Sequence, residues 1–260
     1  VQQKMDAIAH TRGDAFAILD VPSLKQACDN ALDYRNIKLN LSSNRAALYT
    51  PDVFIQDPYS GKKLFIPPSG YAASIFAYTD RVTYPWFAPA GLNRGQLRVL
   101  DIRHKYNKGE RDRLKKAKGI NYIRSFQGLG NVVWEARTLQ GFQSGFSFIS
   151  VRRLMDAISK TTRKTVIWQD FEPNDDFTRS QIKNIIEMYL DSVKTHRGIK
   201  EYLVVVDDSN NPAYLTDQGQ LLVDILIKPT LPIEIIRIRG TLTSQGAVFA
   251  ELISQGILTQ

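Results

Sequence analysis

Sulfur and imidazole are scarce in this chain of 260 residues: one cysteine (Cys28), three methionines and three histidines (His10, His104, His196). A single cysteine excludes an internal disulfide framework and any zinc site built on two or four cysteines, and it fits a reducing compartment. The histidines lie far apart and form no His-x-x-x-His pair, so they read as unrelated residues. No apolar run reaches the roughly 18 residues of a membrane span. No signal peptide is legible: Met5-Asp6-Ala7-Ile8-Ala9-His10 is too short and too polar. Enzyme motifs are missing too. There is no Walker A sequence, and Gly128-x-Gly130 lacks the third glycine of a dinucleotide fingerprint and runs into a strand pattern. Gly141-x-x-Ser144-Gly145 has the wrong spacing for a nucleophile elbow. Internal repeats and low-complexity tracts are absent as well.

What is present is an ordinary globular composition, 43% hydrophobic and 23% charged, with enough chain for one large domain or two modest ones. The net charge of +8 implies attraction to something acidic. Nucleic acid, an anionic membrane and an acidic protein surface all qualify, and charge alone does not choose among them. The chain starts at Val1, without an initiator Met, in what already reads as a helix. It is therefore expected to be a piece or processed product of something longer.

Helical and strand patterns alternate. A helix over 3–11 is closed by Gly13; a strand over 15–20 is stopped by Pro22. Helical spacing follows in Leu24, Ala27, Cys28, Ala31 and Leu32, and short strands flank Pro51. Ser69 is placed to cap a helix to about Tyr78 that is apolar almost all round, hence buried or sandwiched. A charged, solvated helix is expected within 105–118, ending at Gly119; strands follow at 120–123 and 132–136. Ser150 is read as the cap of a helix over 151–163, buried through Val151, Leu154, Met155 and Ile158, and Thr165-Val166-Ile167-Trp168 as a strand. The clearest amphipathic helix covers 180–194, with Ile182, Ile185, Ile186, Tyr189, Leu190 and Val193 at helical intervals. Strands at 202–206, 221–227 and 233–239 complete an α/β (α+β) fold, a mixed β-sheet flanked by helices with extended terminal arms.

Two acidic groups invite a metal reading, Asp170, Glu172, Asp175 and Asp176 in one loop and Asp207-Asp208 in another. Neither has calcium-loop spacing; Asp175 and Asp176 suit a helix N-terminus, and Asp207-Asp208-Ser209-Asn210-Asn211 suits a turn. The helix over 151–164 is less ordinary. Arg152 and Arg153 occupy its first turn, where the helix dipole disfavours cations, and Arg153, Lys160 and Lys164 align along one stripe, flanked by Arg152 and Arg163. Two readings stand: a merely solvated face, or a basic rail facing an acidic partner. No helix-turn-helix pattern or aromatic platform points to nucleic acid. Near the end, Ala247, Val248, Phe249, Ala250, Glu251, Leu252 and Ile253 form a short apolar run. It either packs on its own domain as a terminal helix or adds a strand to a neighbour's sheet.

Taken in order, these segments resemble the C-terminal half of contractile tail sheath proteins of bacteriophages. The resemblance is carried by the strand over 15–22, by Pro67-Pro68-Ser69-Gly70 with its small-residue helix to Thr79-Asp80, and by Trp86-Phe87-Ala88-Pro89-Ala90-Gly91. Glu110-Arg111-Asp112, Gly119-Ile120-Asn121, Trp134-Glu135-Ala136-Arg137-Thr138-Leu139, Ser150-Val151-Arg152-Arg153-Leu154 and Phe171-Glu172-Pro173-Asn174-Asp175 follow in the family's order. The charged segment 105–118 suggests the large myophage branch. The resemblance implies residues 1–20 as the start of the sheath core, 21–145 as its first part, 146–240 as a tube-proximal α/β domain and 241–260 as a C-terminal arm, with outer domains lying before Val1. It further implies stacked rings around an inner tube, arms exchanged between neighbours, and contraction without a nucleotide, cofactor or metal. Partners would be the chain itself, the tail tube protein, and baseplate and tail terminator proteins, with no nucleic acid and no membrane. Localisation would be the virion tail, after assembly in the host cytoplasm. On this reading Arg152, Arg153, Lys160, Arg163 and Lys164 face the tube, and Ala247 to Ile253 join subunits. A sheath from a related secretion or toxin-delivery machine, or a basic nucleic-acid-binding module, are the alternatives.

Overall fold

A computed structural model describes residues 1–117 and 119–234. The elements run α1 (Gln2–Arg12), β1 (Ala17–Asp20), α2 (Cys28–Asp33), β2 (Ala46–Thr50), β3 (Val53–Gln56), β4 (Lys63–Ile66), α3 (Ser69–Val82), β5 (Gln96–Leu97) and β6 (Asp101–Ile102). They continue with α4 (Lys108–Lys116), β7 (Ile120–Phe126), β8 (Gly130–Val133), α5 (Ile149–Val166), α6 (Asp176–Thr195), β9 (Ile199–Val205), α7 (Ala213–Thr216) and β10 (Asp224–Pro229). The main sheet has the order β1-β2-β7-β8-β5, parallel through β1, β2 and β7 and antiparallel beyond. It is a mixed sheet flanked by helices, as the alternating patterns predict.

The strand period of two explains why this sheet sits in the middle. All five β2 residues are buried. Ala46 and Leu48, with Ile120 and Tyr122 of β7, feed a core shared with α1, α2 and α4. Ala47 and Tyr49, with Ile123, feed a second core under α3, built on Ala72, Ile75 and Phe76. Central parallel strands covered on both faces read as continuous apolar runs, which is what 46–49 shows. A small antiparallel sheet, β4-β3-β6, borders the second core; its β4 has no counterpart in the strand patterns read from sequence.

The third core joins α5 and α6 to β9 through Leu154, Ile158, Ile182, Ile186, Leu190, Val193, Ile199 and Val204, and Trp86 packs against it from the loop after α3. Trp86 stacks on Tyr84 with centroids 4.7 Å apart, and its Nε1 donates to the His196 carbonyl at 3.0 Å. Gly198 leaves room for that ring: a Cβ there would lie 2.6 Å from Val193 Cγ1 and 3.1 Å from Trp86. One aromatic thus stitches the first half of the chain to the second.

Several local expectations need correction. Ser69 does not cap α3; its own N–H donates to Asp20 Oδ1 at 2.9 Å, so a β1 carboxylate closes the helix. The same helix buries Ala72, Ile75, Phe76 and Thr79 but leaves Ala73, Ala77 and Tyr78 exposed. Ser150 lies inside the first turn of α5, whose N-cap is Phe148 without a side-chain bond. The expected strand 165–168 is instead the end of α5 and a turn of 3-10 helix, Ile167–Gln169. Its β-branched residues suggested a strand, yet Val166 continues the four-residue spacing from Ile158 and packs on the third core, so packing overrode local preference. The strand expected at 233–239 falls outside the described residues except for Ile233 and Glu234, which belong to no strand.

Caps elsewhere follow the expected chemistry. Asn107 accepts from the Glu110 N–H at 2.9 Å while Glu110 Oε2 accepts from the Asn107 N–H at 2.8 Å, a reciprocal capping box on α4. Asn107→Ala is expected to cost about 1 kcal/mol, lowering the melting temperature by about 2–4 °C in a thermal melt.

Candidate functional site

The sequence singles out α5, and the structure divides its cations into two sets. Arg152 and Arg153 turn inward. Arg152 Nη2 donates to Asp156 Oδ1 at 2.6 Å one turn on, and its guanidinium lies 5.1 Å from the Phe146 ring centroid. Asp156 also receives Arg45 Nη1 at 3.2 Å, so a single carboxylate holds two nearly buried arginines, one of them from the approach to β2. Arg153 Nη2 reaches both oxygens of Asp80 on α3, at 2.7 and 2.5 Å, and sits 4.8 Å from the Phe76 centroid. These pairs clamp α5 onto the first half of the chain. They also account for cations at a helix start: each has a carboxylate that outweighs the dipole at close range.

Beneath this clamp lies the Tyr49 hydroxyl, buried without a hydrogen-bond partner among the described residues. Burial pushes its pKa well above the usual phenol range, with a smaller opposing pull from Arg153.

Lys160, Arg163 and Lys164 form the second set, and all three are exposed. The Asp14 carboxyl lies below its usual range chiefly through its hydrogen bond from Arg12, and Lys160 adds a weaker pull. The basic stripe runs directly into exposed apolar side chains: Ile167, Trp168, Phe171 and Phe177. Phe171 projects fully into solvent from a left-handed backbone, φ 72°, an unusual conformation for a bulky residue. The acids of this loop prompted a metal reading, whereas its aromatics drew none. Trp168, Phe171 and Phe177 interleaved with carboxylates were the available signal.

The acids have structural work. Asp175 accepts from the Thr178 N–H at 2.9 Å as the N-cap of α6, which holds its carboxyl below the ordinary range. Asp207 accepts from the Ser209 N–H, and the Asn210 and Asn211 amides tie that turn to Val205 and Leu222. Among the described residues no group of three or more His, Cys, Asp and Glu side chains is arranged to hold a metal ion, and no helix is long and apolar enough to cross a membrane. Of the other candidate residues, Ala247, Val248, Phe249, Ala250, Glu251, Leu252 and Ile253 lie outside the described residues. The chain leading toward them is held at Glu234, which binds Arg137 in a two-pronged pair at 2.6 and 2.7 Å and Lys115 at 3.6 Å.

The comparisons divide the chain at the loop before α5. The model of the phage tail sheath protein central domain matches residues 1–139, and that of the phage tail sheath C-terminal domain matches 143–243. The tail sheath protein of Vibrio phage KVP40 is 34% identical over 220 residues, covering 83% of this chain and 32% of that protein. The tail sheath protein of Enterobacteria phage T4 is 30% identical over 267 residues, covering 97% of this chain and 40% of that protein. The chain thus spans about a third to two fifths of these relatives' length. Among solved structures, the helical sheath of the anti-feeding prophage in its contracted state superposes with a TM-score of 0.72 at 26% identity, over 88% of this chain and 61% of that one. With both halves matched in order and the fold shared, the chain belongs to the phage tail sheath family.

Proposed function

We propose that this chain is the tube-proximal portion of a contractile tail sheath subunit, which polymerises around a tail tube and shortens to drive it through a host envelope. The observation that carries the reading is the pair of sheath domains matched end to end across it. Its role is mechanical and not enzymatic. Its partners are further copies of itself, the tail tube and the baseplate, and its place is the virion tail, assembled in the host cytoplasm. A subunit that moves as a body needs a stiff joint between its halves; the Trp86 stitch and the Arg45–Asp156–Arg152 and Arg153–Asp80 pairs supply one. Energy for movement is then stored in the extended assembly as a bistable packing of such bodies.

Tube contact is assigned to Lys160, Arg163 and Lys164, the exposed remainder of the basic rail, while Arg152 and Arg153 support the helix from within. Exposed ionic contacts are worth roughly 0–1 kcal/mol each, so repetition around each ring holds the tube and contraction still releases it. Lys160→Glu with Lys164→Glu in the full-length protein is expected to cut tube co-sedimentation while leaving sheath-only polymers intact. Unchanged co-sedimentation would remove the tube-facing assignment. A second reading, the sheath of an extracellular injection machine, is favoured by the likeness to the anti-feeding prophage sheath; the cargo genes beside the sheath gene separate the two.

A further inference from the structure

Three arginines are buried among the described residues: Arg35, Arg152 and Arg179. Arg152 pairs with Asp156, and Arg179 pairs with Asp208 at 2.6 Å. Arg35 reaches no carboxylate among the described residues. Its Nη2 donates to the Leu139 carbonyl at 2.9 Å, and its Nε, also buried, has no partner among the described residues. A buried cation without a counter-charge is costly, and such groups are ordinarily paired. Desolvation accordingly lowers the Arg35 pKa from its ordinary value.

The backbone around it is also unusual. Arg35 lies on a π-helical segment, Tyr34–Leu39, which ends on Asn40 in the left-handed region at φ 39°. π-Turns widen a helix at the expense of its regular bonding and concentrate at functional sites. A cavity of about 410 Å³ opens beside this segment, lined by Arg35, Asn36, Asn40, Ser42 and Lys116 among others, with no acidic residue in its wall. The Asn36 and Asn40 amides make no side-chain hydrogen bond among the described residues, and the Ser42 Oγ accepts from the Gly141 N–H at 3.0 Å, leaving its own hydrogen to donate.

We propose that this cavity is an oxyanion site, taking one carboxylate- or phosphate-type group between Arg35 and Lys116, with Asn36, Asn40 and Ser42 as further donors. A guanidinium and an ammonium on either side of one anion give charge-assisted bonds, which are stronger than neutral ones. The volume suits a small ligand or an acidic side chain offered by another protein. The site is independent of the sheath reading and stands or falls on its own.

The test is an anion titration of the 260-residue chain at constant ionic strength held with chloride, read by the Arg35 Nε–Hε resonance and by the melting temperature. Inorganic phosphate forms one arm and acetate the other. A saturable shift in Arg35 together with a rise in melting temperature is expected in at least one arm. Saturation by phosphate alone identifies a phosphate-type ligand; saturation by acetate identifies a carboxylate, as on an acidic side chain. Lys116→Gln, at an exposed position, is expected to weaken binding about tenfold. Arg35→Met is expected to abolish the anion response without lowering the anion-free melting temperature, because an uncompensated charge has gone. Should Arg35→Met fail to fold, Lys116→Gln and the Arg35 resonance decide. A response that is linear in both arms, or one that Lys116→Gln leaves unchanged, overturns the site.

Discussion

Deleting residues 247–260 from the full-length protein is expected to leave a folded subunit that no longer builds tubes. Among the described residues the three cores are complete by Ile227, and the deletion touches none of those residues. What is lost is the apolar run Ala247 to Ile253, which we propose adds a strand to a neighbour's sheet. The β9–β10 pair is a fitting receptor. It is a sheet of two strands, and among the described residues both its outer edges are unpaired. Such ribbons are marginal alone and gain from a third strand. Its exposed face already carries Leu203 opposite Leu226, both more than half exposed. Backbone pairing also tolerates large rotations of the rest of the subunit. The truncated protein should melt like the parent, while negative-stain micrographs show no tubes. Tubes of normal length would end the arm proposal.

Arg153→Glu is expected to damage the fold and not merely a surface. It sets a carboxylate against Asp80, takes the cation off Phe76 and leaves charge beside the buried Tyr49 hydroxyl. Arg153 is nearly buried but Asp80 is partly exposed, so solvent screens the pair and breaking it from one side costs about 2 kcal/mol, or about 4–8 °C in melting temperature for a chain of this size. Lys160→Glu with Lys164→Glu, both at exposed positions, should stay within about 2 °C of the parent. The contrast tests the division of α5 into an inner clamp and an outer face. Equal melting temperatures for the two variants would show that Arg153 is not holding the halves together. It also means that loss of tube binding in an Arg153 variant reports on stability, whereas the same loss at Lys160 and Lys164 reports on contact.

Periodicity over 180–194 located α6, because six large apolar residues on one stripe leave a helix no other face to bury. Short apolar runs located β2, β7 and β9; a strand covered on both faces, as β2 is, carries apolar residues without alternation. Order and spacing of short motifs, from Pro67-Pro68-Ser69-Gly70 to Phe171-Glu172-Pro173-Asn174-Asp175, were enough to reach the sheath family. Caps were less legible: Asp20 closes α3 from a distant strand, and no local pattern encodes that contact. The length of α5 was hidden by β-branched residues whose helical state depends on what Val166 packs against.

The clearest divide falls at α5 itself. Sequence alone determined that this helix is amphipathic and rich in cations, since spacing fixes which side chains share a face. Which of those cations are free was decided only by the tertiary structure. A charge reaches solvent or a partner according to what lies within about 4 Å: Arg152 meets Asp156 within α5 itself, but Asp80 reaches Arg153 and Asp156 reaches Arg45 only once α3, α5 and the approach to β2 are packed together.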